Sequence, residues 1–321
     1  MALSPRKFFR AFNARCLLSS VVYLFLALVS EVSARPLVVL SDDTSSYQKV
    51  LGAIRQYSDQ PVASISTDQL LLNPEQLDQE SYDYYVAVGS RATNTLLRVL
   101  PAEAPPVLST FIPRRSYQNL IQTYNNSATV LANKVSAIYL DQPYSRQLRL
   151  ARLIRPDADT IGAAFSSQSA RDLPLLEDAL NATGLTLSHR VLDEDKNPIK
   201  QLQPLLESCD IFLTLPDKAV FNRTTAKWIL YISFRLRVPL LGFSRKYVDA
   251  GAVAGVYSTA PQIGRYTGEV MATLNPQQPV LPKPRYPIYF SVATNPSAAK
   301  KLRMDVPAKA VLEQKLKEAE Q

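Results

Sequence analysis

The chain has 321 residues, of which 46% are hydrophobic and 20% charged, and its formal net charge is +8. This length and balance are typical of a globular protein of about two domains. With one histidine, two cysteines and nine glycines, it offers no paired metal ligands and no Gly-x-Gly-x-x-Gly phosphate loop. We therefore expect neither a metal nor a cofactor.

The first 34 residues have the three parts of a secretory signal peptide. Four basic residues precede an apolar run at 17–29, and Val-Ser-Ala at 32–34 provides a small-residue cleavage site. An uncleaved membrane anchor is the alternative, but the 13 residues of that run fall short of the roughly 20 that span a bilayer. The sequence thus predicts a cleaved signal peptide at 1–34 and a periplasmic location.

Without residues 1–34, which carry four basic side chains and Glu31, the net charge falls from +8 to +5. The remaining basic residues are interspersed with acidic ones along the chain, which does not favour a nucleic-acid partner. Only Cys209 remains, so no disulfide within the chain is expected. Its position at the head of an apolar run predicts a packed, unreactive thiol.

Strands and helices alternate along the first part of the chain in the order of a parallel α/β sheet. Because strand–helix–strand units in a parallel sheet make right-handed crossovers, we expect one small doubly wound domain before residue 141. A polar excursion at 67–81 interrupts the alternation. Apolar strands are predicted at 37–40, 61–65, 84–88, 107–110 and 135–140. Helices are predicted at 47–57, in a run that ends at residue 100, and in another that begins near residue 116.

Asp-Gln-Pro at 141–143 ends this pattern, and a second α/β unit follows. The fold class expected is therefore α/β, with two doubly wound parallel-sheet lobes and a ligand cleft between them. The charged tail at 309–321 is predicted as a surface helix that frays. Helices are predicted at 144–154, 170–181, 198–206, 219–235, 261–274 and 296–304, and strands at 160–165, 185–192, 211–215, 240–243, 252–257 and, at an edge, 286–294.

Two segments about half a chain apart, 83–94 and 209–222, share one pattern of apolar strand, polar turn and helix start. In the later copy, Asp217 stands where the N-cap of the helix is expected. Ligands of open α/β sheets bind outside the carboxyl ends of the strands. The two turns are therefore expected to face each other across the cleft.

Polar residues follow the predicted strands at the edge where such a cleft lies. Each by itself is explained as a helix cap or a turn residue, but together they form a candidate ligand site. Helix N-termini offer free N–H groups to a carboxylate, and Asp217 offers a negative partner to an ammonium, which favours a zwitterion such as an amino acid. The candidate residues are Asp43, Ser45, Ser90, Arg91, Thr110, Ser166, Ser167, Asp217 and Ser244.

Several motifs occur in the order of a known family. They are Ala-Ile-Tyr-Leu-Asp-Gln-Pro at 137–143, Leu-Ile-Arg-Pro-Asp-Ala at 153–158, Gly-Arg-Tyr-Thr-Gly at 264–268 and Asn-Pro-Ser-Ala-Ala-Lys-Lys-Leu at 295–302. With these, nearly the whole chain after residue 34 resembles the tryptophan/tyrosine-type substrate-binding proteins of ABC transporters, which have the type I periplasmic-binding fold. The resemblance implies that the cleft closes on a small solute, often an aromatic amino acid. It also implies ligand contacts for Ser90, Thr110, Ser166, Asp217 and Ser244.

The chain departs from the pattern of this family at three places near the expected cleft. Ser90-Arg91 stands where the family has a small residue and a proline, Arg114-Arg115 replaces an acidic turn, and Lys218 follows Asp217 where a neutral residue is usual. The added positive charge favours a more anionic solute.

The resemblance implies one lobe of 36–139 with 258–284 and another of 140–257 with 285–321. It predicts the solute-binding protein of an ABC importer, which binds a small polar solute, such as an aromatic amino acid or other carboxylate, by hinge closure and has no enzyme activity. The expected partners are the ligand and a permease in the inner membrane. The alternative is a sensory subunit that signals to a membrane receptor. A glycosyltransferase is disfavoured, because the chain lacks a metal-binding carboxylate motif.

Overall fold

Two separate β-sheets, each flanked by helices, make up the structure, a computed structural model. It describes residues 35–320 apart from 76, 78–81 and 102, so the predicted signal peptide at 1–34 lies outside the described residues. Within the described part, no helix is both long and apolar enough to span a membrane.

The first sheet has five parallel strands in the order β2-β1-β3-β4-β5. Every residue of β1 and β3 is buried, as expected for strands covered by helices on both faces. The strands are β1 Pro36–Leu40, β2 Ala63–Ser66, β3 Tyr84–Val88, β4 Val107–Ile112 and β5 Val135–Tyr139, and the helices between and after them are α1 Ser45–Tyr57, α2 Thr67–Leu72, α3 Ser90–Val99, α4 Arg114–Thr123 and α5 Ala128–Leu131.

The second sheet has six strands in the order β11-β10-β9-β8-β6-β7, of which only the edge strand β11 is antiparallel. Its strands are β6 Thr160–Phe165, β7 Thr186–Val191, β8 Ile211–Leu213, β9 Leu240–Gly242, β10 Ala254–Tyr257 and β11 Ser291–Thr294. The remaining helices are α6 Tyr144–Ile154, α7 Leu173–Leu180 after a 3₁₀ turn at Ser169–Asp172, α8 Pro198–Glu207, α9 Arg223–Leu236, α10 Arg245–Ala250, α11 Ala260–Ala272, α12 Pro296–Leu302 and α13 Lys309–Glu318.

The chain passes between the two sheets three times. It leaves the first sheet after β5, returns after β10 to place α11 against α1 and β4, and crosses again before β11. Just before the last crossing, Arg285 pairs with β5 through two backbone hydrogen bonds of 2.9 Å, to Ala137 and from Tyr139. We call residues 140–143, 258–259 and 286–290 the hinge segments.

The helix α11 lies unusually close to α1. A Cβ added at Gly264 would be 2.4 Å from the carbonyl oxygen of Val50, and one added at Gly268 would be 2.9 Å from the backbone of Tyr57. Only glycine permits this approach. The Gly-Arg-Tyr-Thr-Gly motif thus has a packing role in the first lobe.

Two short helices, α2 and α10, form where the sequence predicted no helix. In α2, Ser66 and Gln69 form a reciprocal capping box, and Leu70 is buried beneath the helix, so a cap and one anchor stabilise a helix of six residues. In α10, the side chain of Ser244 accepts a hydrogen bond from the backbone N–H of Tyr247, which makes Ser244 its N-cap.

The C-terminal helix α13 forms where a surface helix was predicted, and most of its residues are exposed, but two leucines pack it against the second lobe. Leu312 and Leu316, one turn apart, are buried on it. Beyond the helix, Glu320 forms a two-point ion pair with Arg146, with hydrogen bonds of 2.5 and 2.7 Å. Arg146 also donates to the carbonyl of Pro287 at 3.1 Å, so the C-terminus is tied to a hinge segment.

Candidate functional site

A cavity of about 230 Å³ lies where the two sheets meet the hinge segments. We call it the hinge cavity. Elements of both sheets and all three crossings line it, which is the usual place of a ligand site in a protein of two lobes. Its lining includes Arg114 and Arg115 from the first lobe, Asp172, Phe243 and Ser244 from the second, and Asp141, Tyr144, Gln147, Tyr257 and Tyr286 at or near the crossings.

An ion-pair cluster joins the two lobes at this cavity. Arg114 and Arg115 begin α4, and both pair with Asp172 at the end of the 3₁₀ turn; Arg115 Nη2 lies 3.3 Å from Asp172 Oδ2. Arg115 Nη1 lies 3.6 Å from Asp217 Oδ2. Since α4 is part of the first lobe and both aspartates are part of the second, these ion pairs hold the two lobes in contact.

A third carboxylate faces the same two arginines. Asp141, in the first hinge segment, accepts the backbone N–H of Arg114. Burial raises the pKa of Asp141 despite this hydrogen bond and the nearby guanidinium groups. The positive charge of Arg114 and Arg115 is matched chiefly by the carboxylates of Asp172 and Asp217.

Four aromatic rings contribute to the lining, from Tyr144, Phe243, Tyr257 and Tyr286. Burial raises the pKa of Tyr286 to about 12 and that of Tyr144 further, so both phenols are neutral near pH 7. None of the four, nor Asp172, was predicted from the sequence. For Tyr144 and Tyr286 a usable signal was their position beside the prolines at 143 and 287, which mark the hinge segments.

Two buried polar atoms of the cavity lining have no hydrogen-bond partner among the described residues. One is the donor Nε of Arg115, and the other is the acceptor Oε1 of Gln147, whose amide nitrogen donates to the Gln142 carbonyl at 3.0 Å. Buried polar atoms are rarely left unpaired, because each costs about 1–3 kcal/mol. A ligand that accepts at Arg115 and donates at Gln147 would remove both costs.

Of the residues predicted for the site, the structure brings Ser166 and Asp217 together. The Ser166 N–H donates to Asp217 Oδ2 at 3.1 Å, and the Ala219 N–H donates to Oδ1 at 2.9 Å. Burial opposes ionisation of Asp217, but hydrogen bonds from Ser169, Ser166 and Ala219 prevail and lower its pKa. Its carboxylate is therefore an ionised anchor of the loop after β8.

Asp217 is not the N-cap of the following helix. The helix α9 begins at Arg223, and Asn222 caps it by accepting from the N–H groups of Thr224 and Thr225 at 3.0 and 3.1 Å. The sequence between β8 and α9 thus holds a longer loop than predicted, and the bonds of Asp217 determine its shape.

Ser244 lines the hinge cavity directly. Thr110 is fully buried and shares a 2.7 Å hydrogen bond with Thr267 on α11. Ser167 is exposed and donates to Glu194 at 2.7 Å.

The remaining predicted residues lie at the start of α1 and α3. Asp43 and Ser45 are exposed, Ser90 is half-buried, and Arg91 pairs with Asp68 of α2 within the first lobe. Among the contacts of the described residues, none joins these four to Asp172 or Asp217. Their part in ligand binding stays a prediction.

Cys209 agrees with its prediction as a packed thiol, and the single histidine lies away from the cavity. Cys209 is buried, and burial raises its pKa to about 12, so its thiol is protonated and unreactive near neutral pH. His189 is exposed on the edge strand β7. In the part of the chain that is described, no cluster of three metal-ligating side chains occurs.

Two α/β sheets joined by three crossings, with a cavity at the crossings, define a two-lobed ligand-binding protein. A family model of ABC transporter substrate binding proteins matches residues 55–317, and the chain belongs to this family. The family and fold class predicted from the sequence are thus confirmed. A comparison with curated proteins gave no match.

Solved structures of the same fold cover most of the chain. A conserved domain protein from Vibrio cholerae has 17% identity and a TM-score of 0.55, with 88% of this chain and 98% of that chain covered. An ABC domain from Streptococcus pneumonia in complex with L-Trp has 16% identity and a TM-score of 0.54, with the same coverage. A substrate binding protein with adhesive properties from Clostridium difficile, in a ligand-free, open structure, has 13% identity and a TM-score of 0.62, with 86% and 96% covered.

Proposed function

We propose that this chain is the solute-binding protein of an ABC importer and that it holds a small ligand in the hinge cavity. The observation that carries the proposal is the lining of this cavity, which side chains of both sheets and of the hinge segments share. Membership of the substrate-binding family supports the same function.

The lobes that close on the ligand are, in this proposal, those predicted from the sequence, 36–139 with 258–284 and 140–257 with 285–321. A ligand that contacts both lobes binds the closed form better than the open one and shifts the population toward it. The pairs of Arg114 and Arg115 with Asp172 contribute to closure alongside the ligand.

The ligand we propose is an aromatic amino acid or another small aromatic carboxylate. The four rings of the lining suit an aromatic side chain. The unpartnered Arg115 Nε suits a carboxylate, and the unpartnered Gln147 Oε1 suits an ammonium. The Streptococcus structure is a complex with a ligand of this class.

The partner that follows is a membrane permease with its ATPase, and the location is outside the inner membrane after cleavage of residues 1–34. No bond is made or broken in this function. A sensory role is distinguished by uptake: loss of the gene abolishes import of the radiolabelled ligand if the chain serves an importer, and leaves import intact if it serves a receptor.

Calorimetric titration with L-tryptophan, L-tyrosine and L-phenylalanine tests the ligand class. We expect at least one to bind, and Gln147→Leu to weaken that binding about tenfold, because one hydrogen bond to a charged group contributes about 1.5 kcal/mol. The matched control is Gln203→Leu on α8, where the amide is exposed and bonds only to Glu207. Equal affinities of the two variants would contradict the assignment of Gln147.

A further inference from the structure

A basic surface on the second lobe, away from the hinge cavity, has no role in the function proposed above. On α9, Arg223, Lys227, Tyr231 and Arg235 recur every four residues and are all exposed, so they form one face of the helix. At a rise of 1.5 Å per residue this face is about 18 Å long. Tyr231 is 59% exposed on it.

The short helix α12 extends this surface. Lys301 Nζ lies 5.6 Å from the ring centre of Phe234 on α9, which places the two helices side by side. Seven basic side chains that lie far apart in the sequence are thereby gathered on one side of the lobe. We call the following set the basic face: Arg223, Lys227, Arg235, Arg237, Lys300, Lys301 and Arg303, all exposed.

The basic face carries almost no compensating charge. Neither α9 nor α12 contains an acidic residue, and within the described chain none of the seven basic residues forms an ion pair. Of the acids on neighbouring segments, Asp249 is paired with Arg245 at 2.8 Å. Glu207 and Asp305 keep their negative charges, two against the seven positive ones. The surface is therefore a source of positive potential.

Apolar groups accompany the charges. Tyr231 and Leu236, 37% exposed, project among the basic residues, and the Arg235 guanidinium lies 5.9 Å from the Tyr231 ring centre. Basic side chains mixed with tyrosine and leucine on an exposed helix suit the headgroup layer of a membrane, where phosphates meet the first methylene groups.

We propose that the basic face binds the anionic surface of a lipid membrane. Each basic residue held near such a surface strengthens binding about fivefold at low salt, and salt weakens it. This binding is independent of the ligand in the hinge cavity, so neither proposal depends on the other.

The single tryptophan of the chain, Trp228, lies on α9 beside Lys227 and reports contact of this helix with lipid. The full chain is mixed with vesicles that contain brominated phosphatidylcholine, with or without an equal part of phosphatidylglycerol. We expect quenching of Trp228 fluorescence by the anionic vesicles, little quenching by neutral ones, and reversal by high salt. The apolar run at 17–29 and the four basic residues before it also favour lipid, so the decisive comparison is between two variants that share this segment.

The test variant is Arg223→Glu with Lys227→Glu and Arg235→Glu, and the control is Lys49→Glu with Arg98→Glu and Lys283→Glu, which changes the net charge equally on exposed sites elsewhere. We expect the test variant to lose at least tenfold in affinity for anionic vesicles and the control to bind like wild type. Equal losses in both variants, or wild-type quenching that is the same for neutral and anionic vesicles, would overturn the proposal.

Discussion

Asp172→Ala is expected to open the cleft between the lobes without unfolding either of them. Asp172 is the common partner of Arg114 and Arg115, and the side chains of Arg114 and Asp172 are only 10% and 8% exposed. Removal of one partner from a buried ion pair leaves an uncompensated charge, which is strongly unfavourable. In this protein the guanidinium groups of Arg114 and Arg115 become hydrated when the lobes separate, so opening relieves the penalty without unfolding either lobe.

Because the arginines are hydrated in the open form, the penalty of the lost ion pairs falls on the closed form alone. A penalty of about 3 kcal/mol against the closed form shifts the ratio of open to closed molecules on the order of 100-fold. Small-angle X-ray scattering is expected to give a larger radius of gyration for Asp172→Ala than for wild type, while the melting temperature changes little.

The control for this prediction is Asp68→Ala. It removes the pair of Asp68 with Arg91, which is exposed and lies within one lobe, and exposed pairs contribute at most about 1 kcal/mol. The radius of gyration of this variant is expected to equal that of wild type. An unchanged radius for Asp172→Ala as well would show that the ion-pair cluster does not hold the lobes together.

Gly264→Ala is expected to destabilise the first lobe by about 3 kcal/mol, the upper part of the range for overpacked interiors. The added methyl group would lie 2.4 Å from the Val50 carbonyl oxygen and 2.8 Å from the Ala53 Cβ. The backbone of α1 cannot rotate away as a flexible side chain does, so the two helices must separate and lose packing along their length.

Urea unfolding followed by circular dichroism measures this loss, with Gly52→Ala as the matched control. Gly52 lies on the exposed side of α1, where an added Cβ has no neighbour within 4 Å. Replacement of an unstrained helical glycine by alanine stabilises a helix by about 0.5–1 kcal/mol. If both alanine variants unfold at the same urea concentration, the close packing of α11 on α1 is not a determinant of stability.

The order of strands and helices was predictable because its signals are local. Strands such as β3 are apolar along their whole length since both faces are covered, and each of the eleven strands of the described chain overlaps a predicted one. The packing of α13 was not predictable in the same way, because few residues carry its signal. Leu312 and Leu316 are two apolar residues in a charged tail, and only the three-dimensional structure shows that they bury α13 against its neighbours.

The candidate site was less accessible from the sequence. Asp217 and Ser244 were predicted as candidates because polar residues after a buried strand mark the ligand edge of an α/β sheet. Asp172 gave no such signal, since a lone carboxylate in a predicted helix is usually solvated. Its role depends on Arg114 and Arg115, more than fifty residues away in the other lobe, and no local pattern encodes that contact.

The central claim is that a small ligand binds between the lobes, in contact with both. Hydrogen exchange of the backbone amides, measured with and without a saturating aromatic amino acid, tests it most directly. We expect slower exchange at 114–117 of the first lobe, at 141–147 and at 243–248 of the second lobe together, with α8 unchanged. Protection confined to one lobe, or no protection at these segments, would contradict it.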